Sequence, residues 1–274
     1  MDEQNLLAYL ARIGAERPQT LDEAALARLH RGHLMTVPFE NLSIHLSEAI
    51  SLAESDLISK IVTRRHGGFC YELNGAFALL LQALGADVVR VAARVYGDGR
   101  LGPPFDHLAL VVRLPAGNDR WLVDVGFGSH TTYPLRYDSR HEQHDPGGLF
   151  VLADAAGEDV DVLRDGEPQY RIDSRGRSLA DFIPTCWWQQ TSPQSHFTQN
   201  TICSRLTADG RITLSGRTLI KTSDGAGPGS CHLGEVALRR FPVLTPRRAR
   251  SCPAGAAAIR SHRLAALWPA RTSG

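Results

Sequence analysis

Apolar residues recur at helical spacing in the first part of the chain. Leu6, Leu10 and Ile13 fall on one face of a helix and predict a helix there. The segment TLDE, residues 20–23, matches a capping box, in which a hydroxyl group caps the helix end and a glutamate reaches back. A second helix is therefore predicted to begin at this segment, and Pro38 predicts where it ends.

Two further helices are predicted before the pattern changes. SLAE at residues 51–54 is a second capping-box match and predicts the start of a short helix. The strongest helical pattern runs from Tyr71 to Leu84. Gly85 follows it directly and suits the left-handed backbone that commonly ends a helix.

The apolar period changes from helical to β at Val88. Segments rich in β-branched residues then follow one another with turn-forming sequences between them, which predicts an antiparallel sheet or a small barrel. The strand-like segments are VVRVAARV, DHLALVVRL, RWLVDVGF, GLFVLAD, VDVLRDG, QYRID and RITLSGRTLI. HLGEVALRRF is predicted to be a late helix, and the tail after Pro246, rich in Arg, Ala and Pro, is assigned no structure.

Composition narrows the class of protein. The 274 residues include 43% apolar and 22% charged residues, as in ordinary globular proteins. A formal net charge of +1 provides no general attraction to nucleic acids or acidic membranes. The sequence has neither a secretory signal nor a run of about 18 apolar residues, so a cytoplasmic location is expected. Five cysteines without a tight spacing fit reduced thiols.

Several patterns resemble functional motifs but have simpler structural interpretations. GDGRLG, residues 97–102, fits the dinucleotide pattern but runs into prolines instead of a helix, so a hairpin loop is predicted. His130, His141 and His144 are interpreted as part of a polar, solvated loop, and no metal site is predicted. The pair Trp187–Trp188 is interpreted as core packing.

Cys70 lies between a glycine pair and the strongest predicted helix. A free cysteine is most often a small buried apolar residue, and that role is the alternative to a catalytic one. Gly67 and Gly68 permit a close approach of the backbone that side chains would block. The unpaired N–H groups at the start of the helix favour a thiolate, which is a strong nucleophile. Cys70 is therefore the candidate nucleophile.

His107 and Asp124 are the candidate base and acid for Cys70. His107 opens the strand HLALVVRL, and Asp124 lies within the predicted strand WLVDVGF, where an unpaired buried charge would be costly. A hairpin that is symmetric about PAGNDR pairs Asp124 with Val111, on the same face as His107 but about 13 Å from it along the strand. Contact between the two side chains therefore requires a shifted register, a bulge or a strong twist. A strand-edge histidine and a turn-side aspartate are the structural alternatives.

Six segments resemble those of the arylamine N-acetyltransferases and occur in the same order. HGGFCYELN, HLALVV and LVDVGFG are similar to the catalytic segments of that family. VPFENLSIH, TSPQSHFTQN and TADGRITLSGRTL are similar to three further family segments. The resemblance covers residues 5–245.

The resemblance implies an α+β, papain-like cysteine-enzyme fold. A helical bundle in residues 1–86 would carry the nucleophile, and an antiparallel β-barrel in residues 87–200 would carry the histidine and the aspartate. Residues 201–274 would form a C-terminal α/β lid. The implied reaction is ping-pong: a cysteine takes an acetyl group from acetyl-CoA as a thioester. It then passes the group to an arylamine, an arylhydroxylamine or a hydrazine.

The resemblance also assigns roles to residues. Cys70 would be the nucleophile, His107 the base and acid, and Asp124 the group that orients the imidazole. Two aromatic positions would line the acceptor pocket, and two glycines would leave room for the pantetheine arm of CoA. These expected binding residues are Phe39, Phe127, Gly126 and Gly128. Acetyl-CoA and a small aromatic amine or hydrazine are the expected partners, without metal, nucleic acid or membrane, and homo-oligomer formation is left open.

Two features depart from the family pattern. Members of the family usually have an arginine four residues before the cysteine, where this chain has His66. The tail after Pro246 does not resemble the family's final helices.

The same three catalytic groups also serve transfer from other acyl donors and to water, so an amide synthase or a hydrolase is the alternative enzyme. A non-enzymatic binding protein is a third alternative.

Overall fold

Helices dominate the chain up to residue 83, a region that also contains the short strand β1 (Phe39–Glu40). The computed structural model describes residues 1–115, 117–223 and 229–232. A π-helical turn, Ser59–Thr63, extends the fourth helix. The helices are α1 (Glu3–Arg12), α2 (Glu23–Thr36), α3 (Leu42–His45), α4 (Glu54–Ile58) and α5 (Cys70–Ala83).

The two predicted capping boxes are not where the helices start. Helix α2 begins at Glu23, and its cap is Asp22, whose carboxylate accepts a hydrogen bond from Ala25 N. A carboxylate is as good a cap as a hydroxyl, and this one lies closer to the first helical turn. Helix α4 has no side-chain cap, and Ser51 Oγ instead accepts a hydrogen bond from Ala53 N in the preceding turn.

The middle of the chain forms a nearly closed antiparallel barrel, as predicted. Its strands run in the order β6-β5-β4-β2-β10-β9-β8-β7, and β3 pairs with β2. The strands are β2 (Asp87–Gly97), β3 (Arg100–Leu101), β4 (His107–Arg113), β5 (Arg120–Val123), β6 (Leu135–Arg136), β7 (Gln143–Asp145), β8 (Gly148–Asp154), β9 (Val160–Arg164) and β10 (Glu167–Arg177). The side chain of Gln143 exchanges two hydrogen bonds with the backbone of Arg136, at 2.7 and 3.1 Å, and so links the two edge strands.

Strand β4 is buried on both faces, which explains its continuous apolar sequence. Leu108 and Leu110 belong to the core shared with helix α5. Ala109 and Val111 point to the other side, into the barrel core. His107 has the same parity as Ala109, so its side chain belongs to the barrel side of the strand.

The motif GDGRLG is a hairpin turn, as predicted. Gly97 pairs with Arg100, which leaves Asp98 and Gly99 as a two-residue loop. Both have positive φ, 48° and 73°, as such tight hairpins require.

A second sheet joins the N-terminal region to the last described strands. A 3₁₀ turn (Leu179–Phe182) and two helices, α6 (Ile183–Thr191) and α7 (His196–Gln199), follow the barrel. The sheet runs β1-β11-β12-β13-β14, and Phe39 pairs with Ser204. Its strands are β1 (Phe39–Glu40), β11 (Ile202–Thr207), β12 (Gly210–Ser215), β13 (Thr218–Ser223) and β14 (Gly229–His232). Helices and antiparallel sheets together make an α+β fold, as expected.

Two predictions reach beyond the described residues. Of the predicted helix HLGEVALRRF, only His232 is described, and it belongs to strand β14. The rest of that segment and the tail after Pro246 lie outside the described residues. Within residues 1–115, 117–223 and 229–232, no helix has the length and hydrophobicity needed to cross a membrane.

Candidate active site

Cys70 is the first residue of helix α5, as the sequence predicts. The glycine pair before it, Gly67 and Gly68, lets the backbone pass close to Pro38 and Glu72. A Cβ at Gly67 would clash with Pro38 O, and a Cβ at Gly68 would lie 2.7 Å from a carboxylate oxygen of Glu72. Glu40 N also donates a hydrogen bond to Gly68 O at 2.8 Å. The glycines therefore hold Cys70 against the VPFEN segment.

A buried ion pair fixes the first turn of this helix. Glu72 Oε2 accepts a hydrogen bond from Phe69 N at 3.2 Å, and Glu72 Oε1 lies 2.6 Å from Lys60 Nζ. Burial raises the pKa of Glu72 to about 7, and the charge of Lys60 opposes that shift. Lys60 therefore places a cation close to the turn that carries Cys70. Neither Lys60 nor Glu72 was among the candidate residues predicted from the sequence.

His66, four residues before Cys70, stands where the resemblance leads us to expect an arginine, and it is half-buried. Another arginine ties the N-terminal helices together. Arg12 on α1 donates hydrogen bonds to Thr36 O at 2.8 Å and to Ile61 O at 3.2 Å. It is 6% exposed, so α1, the end of α2 and the π-helical turn share one buried cation.

The strand register brings Asp124 next to His107. Leu110 pairs with Val123, and continuing this register puts Asp124 opposite Ala109, two residues from His107. The predicted pairing of Asp124 with Val111 is wrong, because the hairpin loop spans residues 114–119 rather than being centred on PAGNDR. Asp124 also lies one residue past strand β5 instead of within it. His107 Nε2 and Asp124 Oδ2 are 2.7 Å apart, and both side chains are buried.

Asp124 accepts hydrogen bonds from four directions. Besides His107, the donors are Asn74 Nδ2 at 2.8 Å, Gly126 N at 3.0 Å and the hydroxyl group of Tyr170 at 3.1 Å. Burial disfavours the charged carboxylate, but His107 and the other donors outweigh burial and hold the pKa of Asp124 below its usual range. Asp124 is thus an ionised carboxylate that fixes the imidazole.

Asn74 connects the helix of Cys70 to the strands of the other two residues. It lies one helical turn after Cys70, and its Nδ2 also donates to Leu108 O at 2.6 Å. Its Oδ1 accepts from Val125 N at 2.9 Å. Neither Asn74 nor Tyr170 was among the candidate residues predicted from the sequence. The i, i+4 spacing of Asn74 from Cys70 within CYELN was the available signal.

The sulfur of Cys70 is enclosed by protein and faces the same cavity as His107. Cys70 is 4% exposed, and its Sγ lies 4.0 Å from Asp106 O. Burial raises the pKa of the Cys70 thiol well above its usual value, and the backbone N–H of Leu108 opposes that shift. The expected preference for a thiolate at the helix end is therefore outweighed by burial. The thiol needs a base to accept its proton.

A cavity of about 240 Å³ opens beside these side chains. All four predicted binding residues line it, together with Phe197, which was not predicted as a binding residue. A Cβ at Gly126 would lie 2.8 Å from Cys70 Cα, so only glycine allows this close approach. The full lining consists of Phe39, Cys70, Val95, Asp106, His107, Gly126, Phe127, Gly128, Ser129, Gln189, His196, Phe197, Ile202, Ser204 and Thr213.

Two interpretations of the sequence are wrong. His130 is buried rather than part of a solvated loop, and its ring lies 4.9–5.3 Å from the rings of Phe127, Phe150 and Tyr170. Its burial lowers its pKa to about 3. Trp187 is 64% exposed and is not a core residue. In the described part of the chain, no group of three or more His, Cys, Asp or Glu side chains could hold a metal ion.

Comparisons with known proteins agree on one family. The model of a family described as N-acetyltransferase matches residues 22–233. An arylamine N-acetyltransferase of Mycolicibacterium smegmatis is 34% identical over 230 residues, which cover 81% of this chain and 84% of that protein. An Escherichia coli K12 arylamine N-acetyltransferase is 33% identical over 237 residues, covering 84% and 83%.

Solved structures give the same result. The M. smegmatis arylamine N-acetyltransferase structure has a TM-score of 0.80 at 32% identity, covering 89% of this chain and 90% of that chain. The Mycobacterium marinum enzyme in complex with CoA has a TM-score of 0.78 at 30% identity, covering 85% and 88%.

Proposed function

Because this chain belongs to the arylamine N-acetyltransferase family, we propose that it transfers an acetyl group from acetyl-CoA to an arylamine or hydrazine nitrogen, or to the oxygen of an arylhydroxylamine. The group travels as a thioester on Cys70. The observation that carries the proposal is that Cys70 and His107 face one cavity, while Asp124 holds the far nitrogen of the imidazole.

In the first half-reaction His107 acts as the base. Its Nε2 is held by Asp124 Oδ2, which keeps the proton on that nitrogen and leaves Nδ1 to accept a proton. As Cys70 Sγ bonds to the acetyl carbon of acetyl-CoA, its proton passes to Nδ1. The bond from the acetyl carbon to the CoA sulfur then breaks, and the CoA sulfur leaves with that proton.

In the second half-reaction the amine replaces CoA. Its nitrogen attacks the thioester carbon, His107 accepts an N–H proton, and the carbon–Sγ bond breaks as the proton returns to Cys70. A thioester is already activated, so the chain's own three groups suffice. The rings of Phe39, Phe127 and Phe197 supply flat apolar walls for a flat acceptor.

Initial-rate kinetics with acetyl-CoA and 4-aminobenzamide test the proposal. We expect N-acetylated product and parallel double-reciprocal lines, because CoA leaves before the amine binds. Cys70→Ala should lack activity. Cys186→Ala, which removes another buried thiol away from the cavity lining, should keep it. Normal turnover by Cys70→Ala, or release of acetate unaffected by the amine, would contradict the proposal. The second result would favour a hydrolase.

A further inference from the structure

One acidic side chain lies among the described residues that line the Cys70 cavity. It is Asp106, which stands directly before His107 and is half-buried. The walls around it are largely apolar, with Phe39, Phe127 and Val95 among them. The proposed acetyl transfer gives this carboxylate no role, although Asp106 lines the same cavity as Cys70 and its backbone oxygen lies 4.0 Å from Cys70 Sγ.

The carboxylate of Asp106 is held in place by neutral groups. Gln189 Nε2 donates a hydrogen bond to Asp106 Oδ1 at 2.7 Å, and Ser195 Oγ donates to Gln189 Oε1 at 2.5 Å. Ser195 thereby fixes the amide so that its NH₂ group faces Asp106. Gln189 and Ser195 are 5% and 1% exposed, so this arrangement is part of the packed structure.

The second carboxylate oxygen of Asp106 has room because of Gly102. A Cβ at that position would clash with Asp106 Oδ2. Among the described residues, Asp106 forms no salt bridge with a Lys or Arg side chain. The titratable neighbours are Cys70, Tyr71, His107 and His196. Burial raises the pKa of Asp106, while the two histidines lower it.

We infer that Asp106 sets acceptor specificity by excluding anionic aromatic amines from the cavity, so that the enzyme selects neutral arylamines and hydrazines. The inference rests on the proposed function. A negative charge on an acceptor ring would lie near the fixed carboxylate in a cavity with largely apolar walls, where repulsion is stronger than in water. The two charges about 10 Å apart, at an effective dielectric constant of about 20, would repel enough to lower kcat/KM about tenfold.

A matched pair of acceptors isolates this effect. 4-Aminobenzamide and 4-aminobenzoate have nearly the same shape, but only the second carries a negative charge. We expect the wild-type enzyme at about pH 8, where Asp106 is ionised, to favour the amide. In Asp106→Asn the preference should fall about tenfold, because the charge is lost while an oxygen remains to accept from Gln189.

Two control variants and one further uncharged variant complete the test. Asp106→Glu keeps the charge and should keep the preference. Asp119→Asn removes an equal charge from an exposed ion pair with Arg136 outside the cavity lining, and should also keep it. Asp106→Ser is a second uncharged variant in case Asp106→Asn does not fold.

The outcomes separate this inference from the proposed function. If the uncharged variants acetylate both acceptors with the wild-type preference, the inference is overturned and acetyl transfer stands. A wild-type preference for 4-aminobenzoate that Asp106→Asn does not change also overturns it. If no protein acetylates either amine, both the proposed function and the inference fail.

Discussion

Replacing Lys60 by Met should make the stability of the protein depend on pH above neutrality. Lys60 Nζ lies 2.6 Å from Glu72 Oε1, and the two side chains are 8% and 2% exposed. Methionine fills a similar unbranched space but carries no charge. The substitution therefore leaves Glu72 buried without its cation, next to the turn that carries Cys70.

The size of the loss in stability follows from the pKa of Glu72. Burial raises it from 4.5 to about 7 in the wild-type protein, and removing Lys60 raises it further. Since the folded state then binds more protons than the unfolded state, stability falls as pH rises from the unfolded pKa to the folded pKa. This loss ends near pH 7 in the wild type, but in Lys60→Met it continues at about 1.4 kcal/mol per pH unit. At about pH 9 the variant should be about 2.7 kcal/mol less stable, which lowers Tm by about 5–10 °C.

Urea unfolding between pH 6 and pH 9 measures this difference. The difference between Lys60→Met and wild type should be small near pH 6 and grow with pH. The double variant Lys60→Met/Glu72→Gln lacks both the carboxyl group and the buried ammonium group, so the extra pH dependence should vanish in it. Equal pH dependence of Lys60→Met and wild type from pH 7 to pH 9 would show that Lys60 does not stabilise the charge of Glu72.

Three further substitutions probe the site. Asp124→Asn should lower kcat about 10⁴-fold with the fold intact by circular dichroism, because the amide selects the wrong imidazole tautomer; near-normal kcat would contradict the orienting role. Asn74→Ala removes one of the four hydrogen bonds to Asp124 and the side-chain acceptor of Val125 N, and should lower the free energy of unfolding by about 1–3 kcal/mol. An unchanged urea midpoint would show that water replaces the hydrogen bonds of the Asn74 side chain. Gly126→Ala places a Cβ 2.8 Å from Cys70 Cα, so overpacking should cost about 1–3 kcal/mol and reduce acetylation of Cys70. Acetylation of Cys70 at the wild-type rate in Gly126→Ala would show that the turn around Gly126 moves enough to accept the methyl group.

The helical parts of the site could be predicted because their signals are local. The glycine pair and the apolar pattern after it place Cys70 at the start of α5, where the structure has it. The parity of strand β4 likewise follows from its sequence. These features depend on a few neighbouring residues.

The rest depends on contacts between distant parts of the chain. Whether Asp124 reaches His107 depends on the loop between β4 and β5, and a shift of two residues from the predicted register decides it. The segment around His130 has a polar sequence, yet three aromatic rings of the barrel enclose the imidazole. Phe39 joins the second sheet through its pairing with Ser204, which no local sequence pattern indicates. Tertiary packing, rather than local preference, settles such positions.

Detection of an acetyl group on the sulfur of Cys70 is the most direct test of the proposed thioester. The protein is mixed rapidly with acetyl-CoA at neutral pH without an amine, quenched in acid, and analysed by intact mass and peptide mapping. We expect one acetyl group per chain, located on Cys70, which disappears when 4-aminobenzamide is added before the quench. Absence of the adduct, or an adduct of equal yield in Cys70→Ala, would contradict it.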